Sequence, residues 1–192
     1  ITGKIMPILV GSALQNTGVG LLLDTIVRYL PSPKERDVAI VGEAGKLETA
    51  EPVQDAPLAA LVFKTTADPY VGKLTYFRIY RGIIESNSSV WNSTRGEPER
   101  IGQLYLIRGK TQEPIPQVRA GDIGAVAKLS LTNSGDTLCT HDKPVKLAPI
   151  IFPKPSFSEA ISPKTKLDLD KLSSALTRLV EEDPTLHMRR DS

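Results

Sequence analysis

The chain has 192 residues, 40% of them hydrophobic and 24% charged, with a formal net charge of +2. That length holds one or two domains with ample material for a buried core, in an ordinary globular composition. The charge excludes a chain given over wholly to nucleic acid or a membrane surface, so any basic patch must be local, and the single cysteine, Cys139, excludes an internal disulfide and suits a reducing, cytoplasmic setting.

Residues 7–13, PILVGSA, form a short apolar run ending at Gly11-Ser12, which predicts a buried parallel strand. Asn16 or Thr17 can cap the helix that follows. In it Val19, Leu22, Leu23, Ile26, Val27 and Leu30 share one apolar face, and Pro31-Ser32-Pro33 ends it. One strand and one helix cannot bury both faces of an α/β layer. Residues 1–33 are therefore expected to be the tail of a larger domain. Residues 34–56 mix charges without periodicity and carry Gly42, Gly45 and Pro52, the pattern of a linker.

From Pro57 the pattern changes to short strands, predicted at 58–66, 73–81, 89–92, 100–108, 123–129 and 137–139. Turn residues separate them at Asp68-Pro69, Ser86-Asn87, Arg95-Gly96, Gly121-Asp122 and Ser134-Gly135-Asp136. This spacing predicts a mainly β fold, an antiparallel β-barrel over 57–148, closed because so small a sheet gains from having no open edge. After Pro149, residues 155–161 read as an edge strand, 167–182 as an amphipathic helix and 186–190 as the start of another strand. That order predicts a truncated ferredoxin-like α+β piece over 149–192. No apolar run approaches the ~20 residues that span a bilayer, and the first residues lack the layout of a signal peptide. Ile1 in place of Met, with half-built elements at both ends, leads to the expectation of a piece of a larger protein.

Few residues offer chemistry. Cys139, His141 and Asp142 lie close in sequence, but without a distant fourth ligand they read as a strand-end cysteine beside an exposed histidine. A nucleophile needs a base within hydrogen-bond reach; only His141 and His187 are available, in different predicted domains, and no G-x-S-x-G elbow occurs. Glu181, Glu182 and Asp183 sit at a helix C-terminus and point in different directions, as a solvated end. Gly42 to Lys46 lacks P-loop spacing. No catalytic residue and no metal site is expected. Basic residues do recur around the fourth predicted strand: Arg95, Arg100, Arg108, Lys110 and Arg119. Alternate strand residues share a face, so Arg100 and Arg108 are expected on one side, as contacts to RNA phosphates. Glu97, Glu99 and Glu113 intervene and weaken the patch.

Gly11-Ser12-Ala13, the run from Asp68 to Arg78, Gly135-Asp136-Thr137 and Glu181-Glu182-Asp183, with the segments between them, resemble elongation factor G, a translational GTPase, in order and spacing. Gly11-Ser12-Ala13, Thr17-Gly18-Val19, Leu22-Leu23-Asp24 and Tyr29-Leu30-Pro31-Ser32-Pro33 resemble the end of its G domain. Phe63-Lys64 and the run from Asp68 to Arg78 resemble the opening of its domain II. Asn92-Ser93-Thr94, Glu99-Arg100-Ile101-Gly102, Ala120-Gly121-Asp122-Ile123 and Gly135-Asp136-Thr137-Leu138-Cys139 continue that domain. Phe152-Pro153-Lys154-Pro155, the run from Ile161 to Lys166, and Glu181-Glu182-Asp183-Pro184-Thr185 resemble the start of domain III.

The resemblance implies a full-length parent that binds GTP or GDP with Mg²⁺, docks on the ribosome and drives translocation of tRNA and mRNA. It makes Ser12, Ala13 and Leu14 a guanine-recognition remnant, a backbone N–H being offered to the guanine carbonyl at a strand-to-helix turn; a tight turn needing small residues is the plainer reading. The family's P-loop, switches and NKxD motif all precede residue 1, so neither nucleotide nor Mg²⁺ is expected on this chain. The implied partners are small-subunit rRNA and protein, for a monomer that touches no membrane. Three departures stand out: residues 103–109, Glu85-Ser86-Asn87-Ser88 in the turn after the second barrel strand, and Leu186-His187-Met188. They leave a divergent paralogue or a ribosomal protection protein open, alongside a free-standing nucleic-acid-binding barrel.

Overall fold

Residues 5–36, 38–42, 45–68 and 72–189 are described in the computed structural model, the side chain of Lys166 excepted. The chain divides into two units, Ile1–Asp37 and Val38–Ser192.

In the first unit the chain reverses through a loop closed by Ser12 and Thr17, each donating its N–H to the other's carbonyl at 2.9 and 3.0 Å. Helix α1 follows (Val19–Tyr29). Its N-cap is Gly18 rather than Asn16 or Thr17, at φ 77° and with no side-chain cap. The close return of the chain explains the choice: a Cβ on Gly18 would stand 2.8 Å from the Val10 carbonyl oxygen. The strand expected at 7–13 is not formed. Only Ser12 makes a β-bridge, because a ladder needs a neighbour for its N–H and C=O groups and no other described residue supplies one. The apolar face of α1 is correspondingly uncovered, Leu22 being 46% and Ile26 41% exposed. A short 3₁₀ turn (Pro33–Glu35) closes the unit with a capping box, the Ser32 N–H donating to Glu35 Oε2 at 2.7 Å. This backbone bond, then the Ser32 side chain, holds the Glu35 carboxyl below the usual carboxylate range.

The second unit is mainly β. Its strands are β1 (Val38–Val41), β2 (Leu47–Ala50), β3 (Ala59–Asp68), β4 (Gly72–Arg81), β5 (Ile83–Glu85), β6 (Ser89–Asn92), β7 (Glu97–Arg100), β8 (Leu104–Arg108), β9 (Thr111–Ile115), β10 (Gln117–Arg119), β11 (Ile123–Ala127), β12 (Thr137–Cys139) and β13 (Lys146–Leu147). Every pairing among the described residues is antiparallel. Eight strands form one sheet in the order β7-β6-β12-β3-β4-β11-β8-β9, while β5 and β10 form a ribbon and β13-β1-β2 a third sheet.

Alternation along the strands separates two cores. From β3, Ala60 and Val62 enter a large cluster with Phe77, Ile79, Leu104 and Val126, whereas Ala59 on the opposite face joins Ile40, Ala50, Cys139, Val145 and Leu147. The large cluster is the barrel interior, and the smaller one lies under the three-stranded sheet. Closure differs from a continuous ladder, because β7 and β9 end the sheet. The chain around β5 completes it: Asn87 donates to the Gly102 carbonyl, Ile101 to that of Ser88 and Ser86 to that of Pro116, at 2.8 to 3.0 Å.

Several expectations need correction. Residues 34–56 are not a bare linker, since β1 and β2 lie there and bury Ile40 and Ala50. Their four-residue length and the polar LETA of β2, three residues of which are exposed, concealed them. The strand expected at 100–108 is two strands, β7 and β8, interrupted at 101–103, so Arg100 and Arg108 do not share a strand face. Residues 155–161 and 186–189 form no strand and stay exposed, since no β-ladder forms there among the described residues; Arg190 lies outside them. The helix expected between them forms as a 3₁₀ turn (Lys166–Asp168) running into α2 (Leu169–Glu182). α2 packs on β3, where the Ala67 N–H donates to Glu182 Oε1.

Candidate nucleic-acid interface

One rim of the barrel is set by four buried polar side chains: Asn92, Glu99, Thr132 and Asp136. Glu99, 5% exposed, accepts through Oε1 from the Ser130 N–H at 3.0 Å. Its Oε2 accepts from the N–H groups of Leu131 and Thr132 at 3.0 Å and from the Thr132 hydroxyl at 2.8 Å. Asp136 Oδ2 accepts from Asn92 Nδ2 at 3.1 Å, Arg95 Nε at 3.0 Å and the Asn133 N–H at 3.0 Å. Asn92 completes the network, its Oδ1 accepting from the N–H groups of Thr94 and Arg95 and its Nδ2 reaching Thr132 Oγ1 at 3.0 Å. A buried carboxylate persists only when such donors replace water. The network therefore ties the turn after β6 to the loop after β11. Glu99, one of the acids expected to intervene in the basic patch, is a buried anchor of backbone.

The four candidate RNA contacts are distributed over the turn after β6, the end of β7 and the β8–β9 hairpin. Arg95 is half-exposed and spends its Nε on Asp136. Arg100 is the last residue of β7, at the opposite end of that strand. Arg108 lies at the end of β8, its Nη2 3.6 Å from Glu113 Oε2, and Lys110 stands in the turn between β8 and β9. Arg119 is the last residue of β10. Arg100 shares a cleft of about 460 Å³ with Gln103, Tyr105, Lys128 and Ser130. Lys128 was not singled out by sequence; a lone lysine closing an apolar strand carries no distinguishing signal.

A second groove, about 610 Å³, runs over the outer face of β6 and β12 and is lined by Leu58, Ile83, Trp91, Pro98, Cys139 and His141. The rings of Trp91 and His141 meet edge to face at 4.7 Å between centroids, and His141 Nδ1 lies 3.1 Å from Asp142 Oδ1. Among the described residues no three His, Cys, Asp or Glu side chains come together as metal ligands.

In the first unit Ser12 anchors the loop ahead of α1, its Oγ accepting from the Gln15 N–H at 3.3 Å. Ala13 and Leu14 are exposed at the loop tip, and among the described residues no protein acceptor faces their N–H groups. No helix among the described residues is long and apolar enough to cross a membrane.

Comparison with known proteins agrees with this architecture. Elongation factor G domain 2 matches residues 57–141, and Elongation Factor G, domain III, matches residues 152–192. A crystal structure from Thermus thermophilus is similar over 90% of this chain, with a TM-score of 0.68 and 33% sequence identity. The chain spans 24% of the length of that solved protein. With an antiparallel barrel in the domain 2 segment and an α2-bearing segment matching domain III, the chain belongs to the elongation factor G family.

Proposed function

We propose that this chain is a ribosome-docking and interdomain scaffold of an elongation factor G-type protein, and that the parent promotes translocation of tRNA and mRNA at the expense of GTP. The observation that carries this reading is the joint match to the family's domains 2 and III. A barrel whose rim loops are fixed by Glu99 and Asp136 suits a docking surface, since preformed loops lose little conformational freedom on binding. Arg100 and Lys110 supply contacts to small-subunit rRNA phosphates. Arg95 and Arg108 contribute less, being partly neutralised by Asp136 and Glu113. The exposed N–H groups of Ala13 and Leu14, in the loop anchored by Ser12, complete a guanine site whose phosphate and Mg²⁺ groups belong to other residues of the parent. The chain works as a monomer in the cytoplasm.

Competition tests this reading. Excess chain is added to an intact elongation factor G during ribosome-stimulated GTP hydrolysis. Half-inhibition at about 10 µM chain, with no hydrolysis by the chain alone, is expected. Hydrolysis by the chain itself, or no inhibition at about 100 µM, overturns it.

A further inference from the structure

We propose that the cleft between β7, β8 and the end of β11 seats one unpaired nucleotide of RNA, with Arg100 and Lys128 on its flanking phosphates and the Tyr105 ring under its base. The inference rests on the ribosome-docking reading and names the subsite within it.

The charge in this cleft is available. Arg95 and Arg108 face carboxylates, but among the described residues no acid lies within ion-pair distance of Arg100 or Lys128. Glu99 also lines the cleft, yet its two oxygens are committed to three backbone N–H groups and the Thr132 hydroxyl. Two cations thus line the cleft together with a half-buried tyrosine, and phosphate contact beside aromatic stacking is how single-stranded nucleic acid is held without sequence preference. The volume, about 460 Å³, lies within the ~300–1,000 Å³ of clefts that take small ligands.

The backbone adds an independent observation. Lys128 has φ 63°, the left-handed region that glycine occupies freely and a long side chain rarely adopts. Its N–H is bound to the Lys73 carbonyl at 2.8 Å, which fixes the residue there. A strained conformation retained at a cation on the lip of a cleft points to a use for that side chain.

The same strain supplies a clean variant. Lys128→Gly removes the charge in a conformation that suits glycine, so Tm should stay within about 3 °C of the parent chain. Binding is read with the full 192-residue chain on isolated small ribosomal subunits and on a fluorescein-labelled uridine 12-mer. Lys128→Gly and Arg100→Ala should each weaken both about 3–10-fold and flatten the log–log salt slope by about 0.7. Tyr105→Ala should weaken 12-mer binding about ten-fold, while Tyr105→Phe keeps it. Unchanged binding by Lys128→Gly and Tyr105→Ala, while the parent chain still binds subunits, overturns the cleft and leaves the docking reading standing. Failure of the parent chain to bind subunits at all overturns both. Tight binding of an oligoglutamate peptide that depends on Lys128, with no 12-mer binding, assigns the cleft to an acidic protein segment and also overturns the proposal.

Discussion

Glu99 and Thr132 are joined twice through one oxygen: Oε2 of Glu99 accepts both the backbone N–H of Thr132 at 3.0 Å and its hydroxyl at 2.8 Å. With the bonds to Ser130 and Leu131, one carboxylate thereby holds the loop that leads from β11 towards β12. Glu99→Gln keeps one acceptor oxygen but turns an NH₂ group on the donors that the other oxygen serves, leaving at least one backbone N–H without its acceptor. It should destabilise the chain by about 2–3 kcal/mol in urea unfolding, and a loss under about 0.5 kcal/mol would show that water replaces the carboxylate.

Gly82 joins β4 to β5 at φ 81°, where a Cβ would meet the Ala56 carbonyl oxygen and Leu58 Cα, both at 2.8 Å. These are backbone atoms of the segment leading into β3, so no side chain can move aside. Gly82→Ala should cost about 2–4 kcal/mol. Gly96 at φ 73° has open space around it, and Gly96→Ala should cost about 1 kcal/mol in the same urea titration. Equal losses would refute the close-packing argument.

Trp91 is the only tryptophan in the sequence, so its emission reports the outer groove alone. His141 covers the indole edge to face while remaining exposed itself. His141→Ala should increase acrylamide quenching of Trp91 and change stability by no more than about 1 kcal/mol. Unaltered quenching would mean that the indole is shielded by Pro98 and Leu58 instead.

Asp183 receives the Thr185 hydroxyl at 2.7 Å and the Thr185 N–H at 2.9 Å on Oδ1. The hydroxyl first, and the N–H second, hold its carboxyl below the usual aspartate value. A carboxyl whose folded value is lowered contributes stability above its unfolded pKa and loses it as pH falls through the folded one. Carboxyl-carbon NMR should therefore show Asp183 titrating below an ordinary aspartate, and Thr185→Val should move it back up. A midpoint unmoved by Thr185→Val would contradict the assignment.

The parts of the fold that were legible were those whose pattern is local. Asn92 and Cys139 end strands whose bounds match the reading because turn residues flank them, and α1 stops before Pro31 as proline sterics require. The illegible parts depend on distant partners. Ile40 reads as one apolar residue in a charged stretch until Leu147, 107 positions later in the sequence, pairs with it. Conversely, 155–161 has strand-like residues but no ladder to join. At the candidate interface the basic residues could be named one by one, but not which of them were spent on Asp136 and Glu113, nor that Lys128 would stand beside Arg100 and Tyr105.

The most direct test is co-sedimentation of the whole chain with isolated small ribosomal subunits over a range of salt. Docking through a few phosphate contacts predicts saturable one-to-one binding whose log affinity falls with log salt at a slope of about −2 to −4. No subunit-bound chain at about 20 µM and low salt, or binding indifferent to salt, would contradict the docking role.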